Sequence, residues 1–257
     1  MKISARNLSF SYTGNPLFDN LSLDFNSTEG PLVILGPSGS GKTTLLKLLG
    51  GLLKPQAGEI IFFGENSKNK NEATDRLPQT AFIFQEPRLL PWLTVLENVS
   101  IPVKKIFGNE EAKKRARHFL SLVSLEEKRN VYPKELSGGQ AQRVSIARAF
   151  AWPAQALFMD EPFQSLDIPL RVNLMDLTLS LLSEENFPGK NLSKINRLLI
   201  AVTHDPREAL YIGGRIIVLG NAGEGIVFDK AVDPESTDRS YGSAAGIELE
   251  REIIRHL

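Results

Sequence analysis

Cysteine is missing altogether, which excludes disulfides and thiolate metal sites and leaves the compartment open. Net charge is missing too, because 30 Lys and Arg balance 30 Asp and Glu. No global basic field therefore draws the chain to nucleic acid or anionic lipid. No run approaches the roughly 20 apolar residues needed to cross a bilayer. The first residues, Met1-Lys2-Ile3-Ser4-Ala5-Arg6, lack the apolar core of a signal peptide. Internal repeats and low-complexity segments are also absent. If the protein works at a membrane, other chains are expected to supply the spans. What remains is the composition of an ordinary globular chain, 42% hydrophobic and 23% charged. Its 257 residues fit one large domain or two small ones.

Against that plain background one stretch stands out. Gly36-Pro37-Ser38-Gly39-Ser40-Gly41-Lys42-Thr43-Thr44 fits the phosphate-binding pattern G-x-x-x-x-G-K-[ST]. Leu32-Val33-Ile34-Leu35 before it is a short apolar run, as expected of a buried parallel strand. Leu45, Leu46, Leu48, Leu49 and Leu52 after it fall at helical spacing, and Gly50-Gly51 predicts the stop. A plain glycine turn before a helix is the competing explanation, and both flanks weigh against it. A triphosphate needs many donors close together, which glycine backbone and a helix N-terminus supply. Lys42 is expected to reach the β- and γ-phosphates of ATP, and Thr43 to offer its hydroxyl to Mg²⁺. Thr44 is expected to serve the first helical turn.

The rest of the chain alternates strand and helix signals. Residues 2–12 and 17–25 carry Ile3, Leu8, Phe10 and Tyr12, then Leu21, Leu23 and Phe25. That is the period of half-exposed antiparallel strands, joined here through Gly14-Asn15-Pro16. Tyr12 either packs across the strands or stacks on an adenine. Residues 59–63 read as a further strand and 65–78 as a polar loop. Ala81–Phe84 is a buried strand that delivers Gln85, and the apolar run Glu86–Trp92 after it is kept from helix by Pro87 and Pro91. Residues 110–124 predict a helix with Ala112, Ala116, Phe119, Leu120 and Val123 on one face.

Leu136-Ser137-Gly138-Gly139-Gln140 opens another helix, with Val144, Ala147 and Phe150 among its apolar positions and Ser137 or a following glycine as N-cap. Ala156–Met159 is a buried strand delivering Asp160-Glu161-Pro162. Leu170, Leu174, Leu177 and Leu181 predict a helix with Pro169 in its first turn. A surface loop is expected over 184–197. The strand Leu198–Thr203 then ends at His204, and Asp205-Pro206-Arg207-Glu208 carries helix-start signals. Two strands, 215–219 and 225–228, follow. A short amphipathic helix bearing Leu249, Ile253, Ile254 and Leu257 closes the chain.

Three buried strands thus end in polar groups, and a fourth leads into the phosphate loop. In an open parallel sheet such ends line one edge, where ligands bind. Gln85, Asp160, Glu161 and His204 are therefore expected to converge on the nucleotide. Asp160 suits Mg²⁺, and Glu161 beside it could polarise the attacking water. His204 could bond the γ-phosphate, and Gln85 could touch metal or water. Each of these has an ordinary explanation alone, as a helix cap, a strand-end histidine or a surface glutamine; together they do not.

The set resembles the ATP-binding subunit of ABC transporters over about residues 1–230. Leu136–Gln140 with the following Ala141–Ala149 looks like that family's signature motif. Asp160-Glu161 resembles the end of its Walker B strand, Ser165-Leu166-Asp167 its D-loop, Gln85 its Q-loop, His204 its switch histidine and Tyr12 its adenine-stacking residue. Phe84–Trp92 and Pro162-Phe163-x-x-Leu166-Asp167 look like the importers of nitrate, sulfonate, taurine and similar small anions. The resemblance implies an α/β fold with a P-loop NTPase (RecA-like) core and a mainly parallel sheet. It also implies an N-terminal antiparallel β subdomain and a helical subdomain inserted at about 88–153, with 231–257 as a C-terminal tail.

Its further implications concern partners. ATP and Mg²⁺ would be the cofactors, bound in a head-to-tail dimer in which Ser137-Gly138-Gly139 faces the partner's ATP. Transmembrane permease subunits would dock near Gln85–Trp92, with a periplasmic or surface solute-binding protein in the complex and no nucleic acid. The site would then lie on the cytoplasmic face of the cell membrane. Other readings are an exporter or lipid-extraction ATPase, and an ABC ATPase acting on DNA or ribosomes. Neither long coiled coils nor a second ATPase half, usual in the last class, is present. The loop at 186–196 is longer than the resemblance predicts, and the residues after about 230 do not resemble an importer's regulatory domain.

Overall fold

The computed structural model describes residues 1–12, 14–63, 73–74, 79–164, 166–183, 197–232 and 244–257. The loops expected at 65–78 and 184–197, and Ser165, lie wholly or partly outside them. In chain order the elements are β1 (Lys2–Phe10), β2 (Phe18–Asn26), β3 (Leu32–Leu35), α1 (Lys42–Leu49), β4 (Ala57–Phe63), β5 (Ala73–Thr74) and β6 (Thr80–Phe84). Four helices follow, α2 (Val95–Ser100), α3 (Lys104–Phe107), α4 (Asn109–Leu122) and α5 (Gly138–Ala151). The chain then alternates through β7 (Ala156–Asp160), α6 (Ile168–Ser183), β8 (Leu198–Val202), α7 (Pro206–Ile212), β9 (Arg215–Leu219), β10 (Ile226–Ala231) and α8 (Ala244–Ile254).

Two sheets organise the molecule. The first runs β2-β1-β4-β5 and is antiparallel; its two-residue edge strand β5 falls where a loop was expected. The second runs β10-β9-β3-β8-β7-β6, parallel throughout except for the β10 edge. Buried on both faces, β3 and β8 expose no residue, as their unbroken apolar runs predict.

The alternation in β1 changes phase between Ile3 and Leu8, and the structure supplies the cause. A register shift between Ala5 and Leu8, with Asn7 at φ 50°, lets Ile3 and Ala5 face the core and then Leu8 and Phe10 as well. Helix α1 stops at the predicted glycines, where Leu52 N–H closes on the Lys47 carbonyl at 2.8 Å.

The helices between β6 and β7 form a packed group in which α2, α4 and α5 touch one another. The predicted face of α4, with Val123 just beyond it, is fully buried, as are Val144, Ala147 and Phe150 of α5. Arg115 of α4 is buried too, and its Nε–H donates to the carbonyl of Ala151 at the end of α5, a favourable place for a cation. Of the closing helix, Ile253 is buried and Leu249 packs against the core, but Ile254 and Leu257 are exposed, contrary to the expected apolar face. That helix is held by Arg207–Glu250 and Lys230–Glu252 ion pairs at 2.9 and 2.6 Å. Among the described residues no helix is long and apolar enough to cross a membrane.

Candidate functional site

Strand register places the site. Phe84 pairs with Asp160, Asp160 with Val202, and Val202 with Ile34. The residues that follow, Gln85, Glu161, Thr203 and Leu35, therefore leave the sheet at one level. The loops they begin open on a single edge, as the carboxyl ends of strands in an open parallel sheet should.

The phosphate loop bends tightly beside that edge. Gly41 caps α1 at φ 95°, and a Cβ there would meet the Phe18 ring at 2.6 Å; only glycine accepts both conditions. At Gly36 a Cβ would lie 2.6 Å from the Leu219 carbonyl. The Lys42 ammonium folds back to donate to the carbonyls of Gly36 and Pro37 at 2.8 and 2.9 Å. Burial lowers its pKa, while Glu161 and Asp160 pull the other way. Ser40 Oγ is buried in the same loop with no hydrogen-bond partner among the described residues.

Two side-chain pairs complete the site. Thr43 Oγ1 donates to Asp160 Oδ1 at 2.7 Å, which joins the hydroxyl and the carboxylate expected at Mg²⁺. Both are oxygen donors, the chemistry a hard cation prefers. His204 Nδ1 lies 3.2 Å from Glu161 Oε2. Glu161 itself sits at φ 47°, a left-handed conformation that a non-glycine residue keeps only when its surroundings enforce it.

A pocket opens here, walled by Gly36, Pro37, Ser38, Lys42, Glu161 and His204. Gln164 and Leu257 complete the wall; the sequence did not mark Gln164 at all and marked Leu257 only as part of the closing helix's apolar face. Other predicted residues stand apart. Gln85 is exposed just beyond β6 and is not among the described residues of the wall. Tyr12 is 63% exposed; its ring meets Phe10 edge-on at 5.0 Å and its hydroxyl lies 3.2 Å from Thr44 Oγ1. Thr44 is thus turned to the tyrosine rather than left to its own helix turn.

The segment Leu136–Gln140 is away from the pocket as well. Ser137 is the N-cap of α5: its side chain accepts from Gln140 N–H at 3.3 Å, while Gln140 Oε1 accepts from Ser137 N–H at 3.1 Å. With both bonds made, Ser137 and Gly138 remain exposed and Gly139 partly so. Of the expected D-loop, Leu166 is partly buried and Asp167 exposed.

One charged group escaped sequence reading. Arg171 of α6 donates to Asp205 Oδ2 at 2.8 Å and to the Leu166 carbonyl at 3.2 Å, and lies 3.3 Å from Glu208 Oε1. Glu208 therefore does not close a capping box on α7. It is buried, accepts from Thr203 Oγ1, and its pKa is raised by burial. Asp205 alone caps that helix, accepting from Arg207 N–H at 2.9 Å.

Comparison with known proteins gives one consistent result. The family model described as ABC transporter matches residues 18–164. An aliphatic sulfonates import ATP-binding protein of Xanthomonas axonopodis pv. citri is 36% identical over 91% of this chain and 88% of its own length. A sulfate/thiosulfate import ATP-binding protein of Pseudomonas aeruginosa is 37% identical over 85% of this chain and 64% of its own. Among solved structures, a dimeric post-hydrolysis state of an ATP-binding cassette bound to ADP and Pi is 32% identical. It superimposes with a TM-score of 0.71, covering 90% of this chain and 99% of that one. The chain belongs to the ABC transporter family, as one of its ATP-binding, ATP-hydrolysing members.

Proposed function

We propose that this protein is the ATPase subunit of an importer for a small sulfur-containing anion, acting as a dimer beneath separate transmembrane subunits. The observation that carries the dimer is a separation within the chain. The phosphate pocket and the exposed, capped N-terminus of α5 do not meet. Both are anion-binding features, so a second copy placed head to tail would bring each to the other. The related cassette is dimeric.

The residues divide the work. The loop Gly36–Thr44 wraps the phosphates, Lys42 sets its charge on the β- and γ-phosphates, and Tyr12 offers a stacking face to the base. Thr43 and Asp160 fit Mg²⁺, with Gln85 within a loop's reach; the ion would neutralise charge on the transferred phosphoryl group. Glu161 orients and deprotonates the attacking water, and His204 positions Glu161 while donating to the γ-phosphate. Ser137, Gly138 and Gly139, with Leu136 and Gln140 shaping their turn, complete the partner's pocket. Leu166 and Asp167 of the expected D-loop would lie between the halves. Lys42→Ala should weaken ATP binding by at least about tenfold, since it removes the cation on the phosphates. Titration with a fluorescent ATP analogue checks this, and unchanged affinity rejects the phosphate assignment.

Docking falls on Gln85–Trp92. Leu89 packs on the core, whereas Trp92 is 69% exposed, so the ring does not tuck under α2. The loop is rigid nonetheless. Asn98, fully buried, accepts from Leu90 N–H at 2.7 Å and donates to the carbonyls of Leu90, Leu93 and Thr94. An exposed tryptophan on a fixed loop is a suitable interface anchor. Trp92→Glu should leave the purified subunit's melting temperature and ATPase rate unchanged and abolish its co-purification with the transmembrane subunits. A melting temperature that drops sharply would make the loop core instead.

The solute class rests on the two named relatives, which import sulfonates and sulfate or thiosulfate. A solute-binding protein on the outer side would deliver the anion, and this subunit would work from the cytoplasmic face. Residues 1–230 would form the ATPase unit, with the helical part at 88–153 carrying the partner-facing segment. Uptake of a radiolabelled aliphatic sulfonate, lost on deletion of the gene and restored by the wild type only, tests the reading. Normal uptake in the deletion strain overturns it.

A further inference from the structure

We infer that Gln142 is a positioning residue that holds the backbone of Glu161 and Gln85 in register with the helix bearing Ser137. The inference rests on the role given to Glu161 above. Gln142 lies on the second turn of α5 and is 3% exposed. Its Nε2 donates to two carbonyls on different strand ends: Phe84 at 3.2 Å and Pro162 at 2.8 Å. Phe84 immediately precedes Gln85, and Pro162 immediately follows Glu161. One amide therefore bonds the backbone adjacent to both functional residues.

The backbone at Glu161 explains why such a clamp is needed. That residue is in the left-handed region, where the chain stays only if flanking bonds fix it. On one side Glu161 N–H donates to the Val202 carbonyl at 3.0 Å. On the other, the Gln142 bond fixes the Pro162 carbonyl. The Gln85 loop is bracketed in the same way. Arg148, two turns further along α5, donates to the carbonyls of Pro87 and Arg88, both at 2.9 Å. Gln85 thus sits between two points that α5 holds. A shift of α5 when its N-terminus meets the partner's phosphate is passed to the water-orienting carboxylate through a single buried side chain.

The test compares three variants by ATPase kinetics, nucleotide binding and thermal melting. Gln142→Met keeps the volume and removes the donor. Its kcat should fall by about tenfold or more, because small displacements of a catalytic group are costly. Its KM for ATP should stay within about two-fold, the mark of an effect confined to the transition state. The Hill coefficient for ATP should also fall towards one. Val144→Ala, in the same helix and equally buried, loses packing without touching either carbonyl and should keep kcat within about two-fold. Glu161→Gln supplies the reference. If it hydrolyses ATP normally, the catalytic reading of the site fails; if it is inactive and Gln142→Met is not, only the present inference fails. Equal losses of kcat in Gln142→Met and Val144→Ala, or a Gln142→Met protein without a cooperative melt, also overturn it, since the residue is then merely structural.

Discussion

Glu161→Gln is expected to bind ATP as tightly as the wild type and to lose its hydrolysis by about 10²–10⁴-fold, the range a positioned acid–base group contributes. The carboxylate sits in the pocket wall beside Lys42 and His204, and its Oε2 is 3.2 Å from the imidazole. An amide keeps the size and one hydrogen-bonding oxygen but is too weak a base to accept the proton of water. The backbone at φ 47° is strained equally for both side chains, so folding should not change. Phosphate release in single-turnover conditions, with ATP binding measured in parallel, gives the answer. Hydrolysis within a few-fold of wild type would remove Glu161 from the mechanism.

The second large effect is on assembly. Adding Ser137→Arg to Glu161→Gln should convert an ATP-bound dimer into a monomer on gel filtration. A cation at the start of α5 opposes the helix dipole, and its side chain occupies the exposed space in front of Gly138, where a phosphate of the second copy would enter. The cost to the fold is modest. Losing the Ser137 cap removes about 1 kcal/mol, and the serine is exposed. A melting temperature lowered by only a few degrees, about 4 °C or less for a chain of this size, together with loss of the dimer, is the expected pair of results. A dimer that survives in ATP would refute the head-to-tail arrangement.

Much of the site is legible in the sequence. The phosphate loop announces itself because its chemistry is local: glycines, lysine and threonine act within nine consecutive residues, between a strand and a helix. The cap of α5 was legible in part: the sequence offered Ser137 or a following glycine, and Ser137 takes it with Gln140 three residues away. Apolar runs identified β3, β7 and β8 because strands buried on both faces have no polar positions to interrupt them. The side chains at the ends of those strands could then be named in advance.

Less legible were features whose partners are distant in sequence. Gln142 was one more polar residue in a helix, because its two carbonyl partners belong to other strands. Glu208 carried the spacing of a helix-capping acid, yet Arg171 and Thr203 drew it inward. Trp92 is a large apolar side chain that the sequence alone does not place, and in the fold it is left exposed.

The sequence by itself determined the elements, the nucleotide loop and the residue types at the strand ends, since periodicity, glycine geometry and capping act over a few residues. Tertiary structure alone decided what those pieces do together. The sheet register brought Thr43 to Asp160 and His204 to Glu161; the bulge in β1 kept one strand facing the core; the side chains of α5 fixed the Gln85 loop. Each of these depends on hydrogen bonds between segments far apart in the chain, and a repeating local pattern carries no information about which distant carbonyl a buried donor will find.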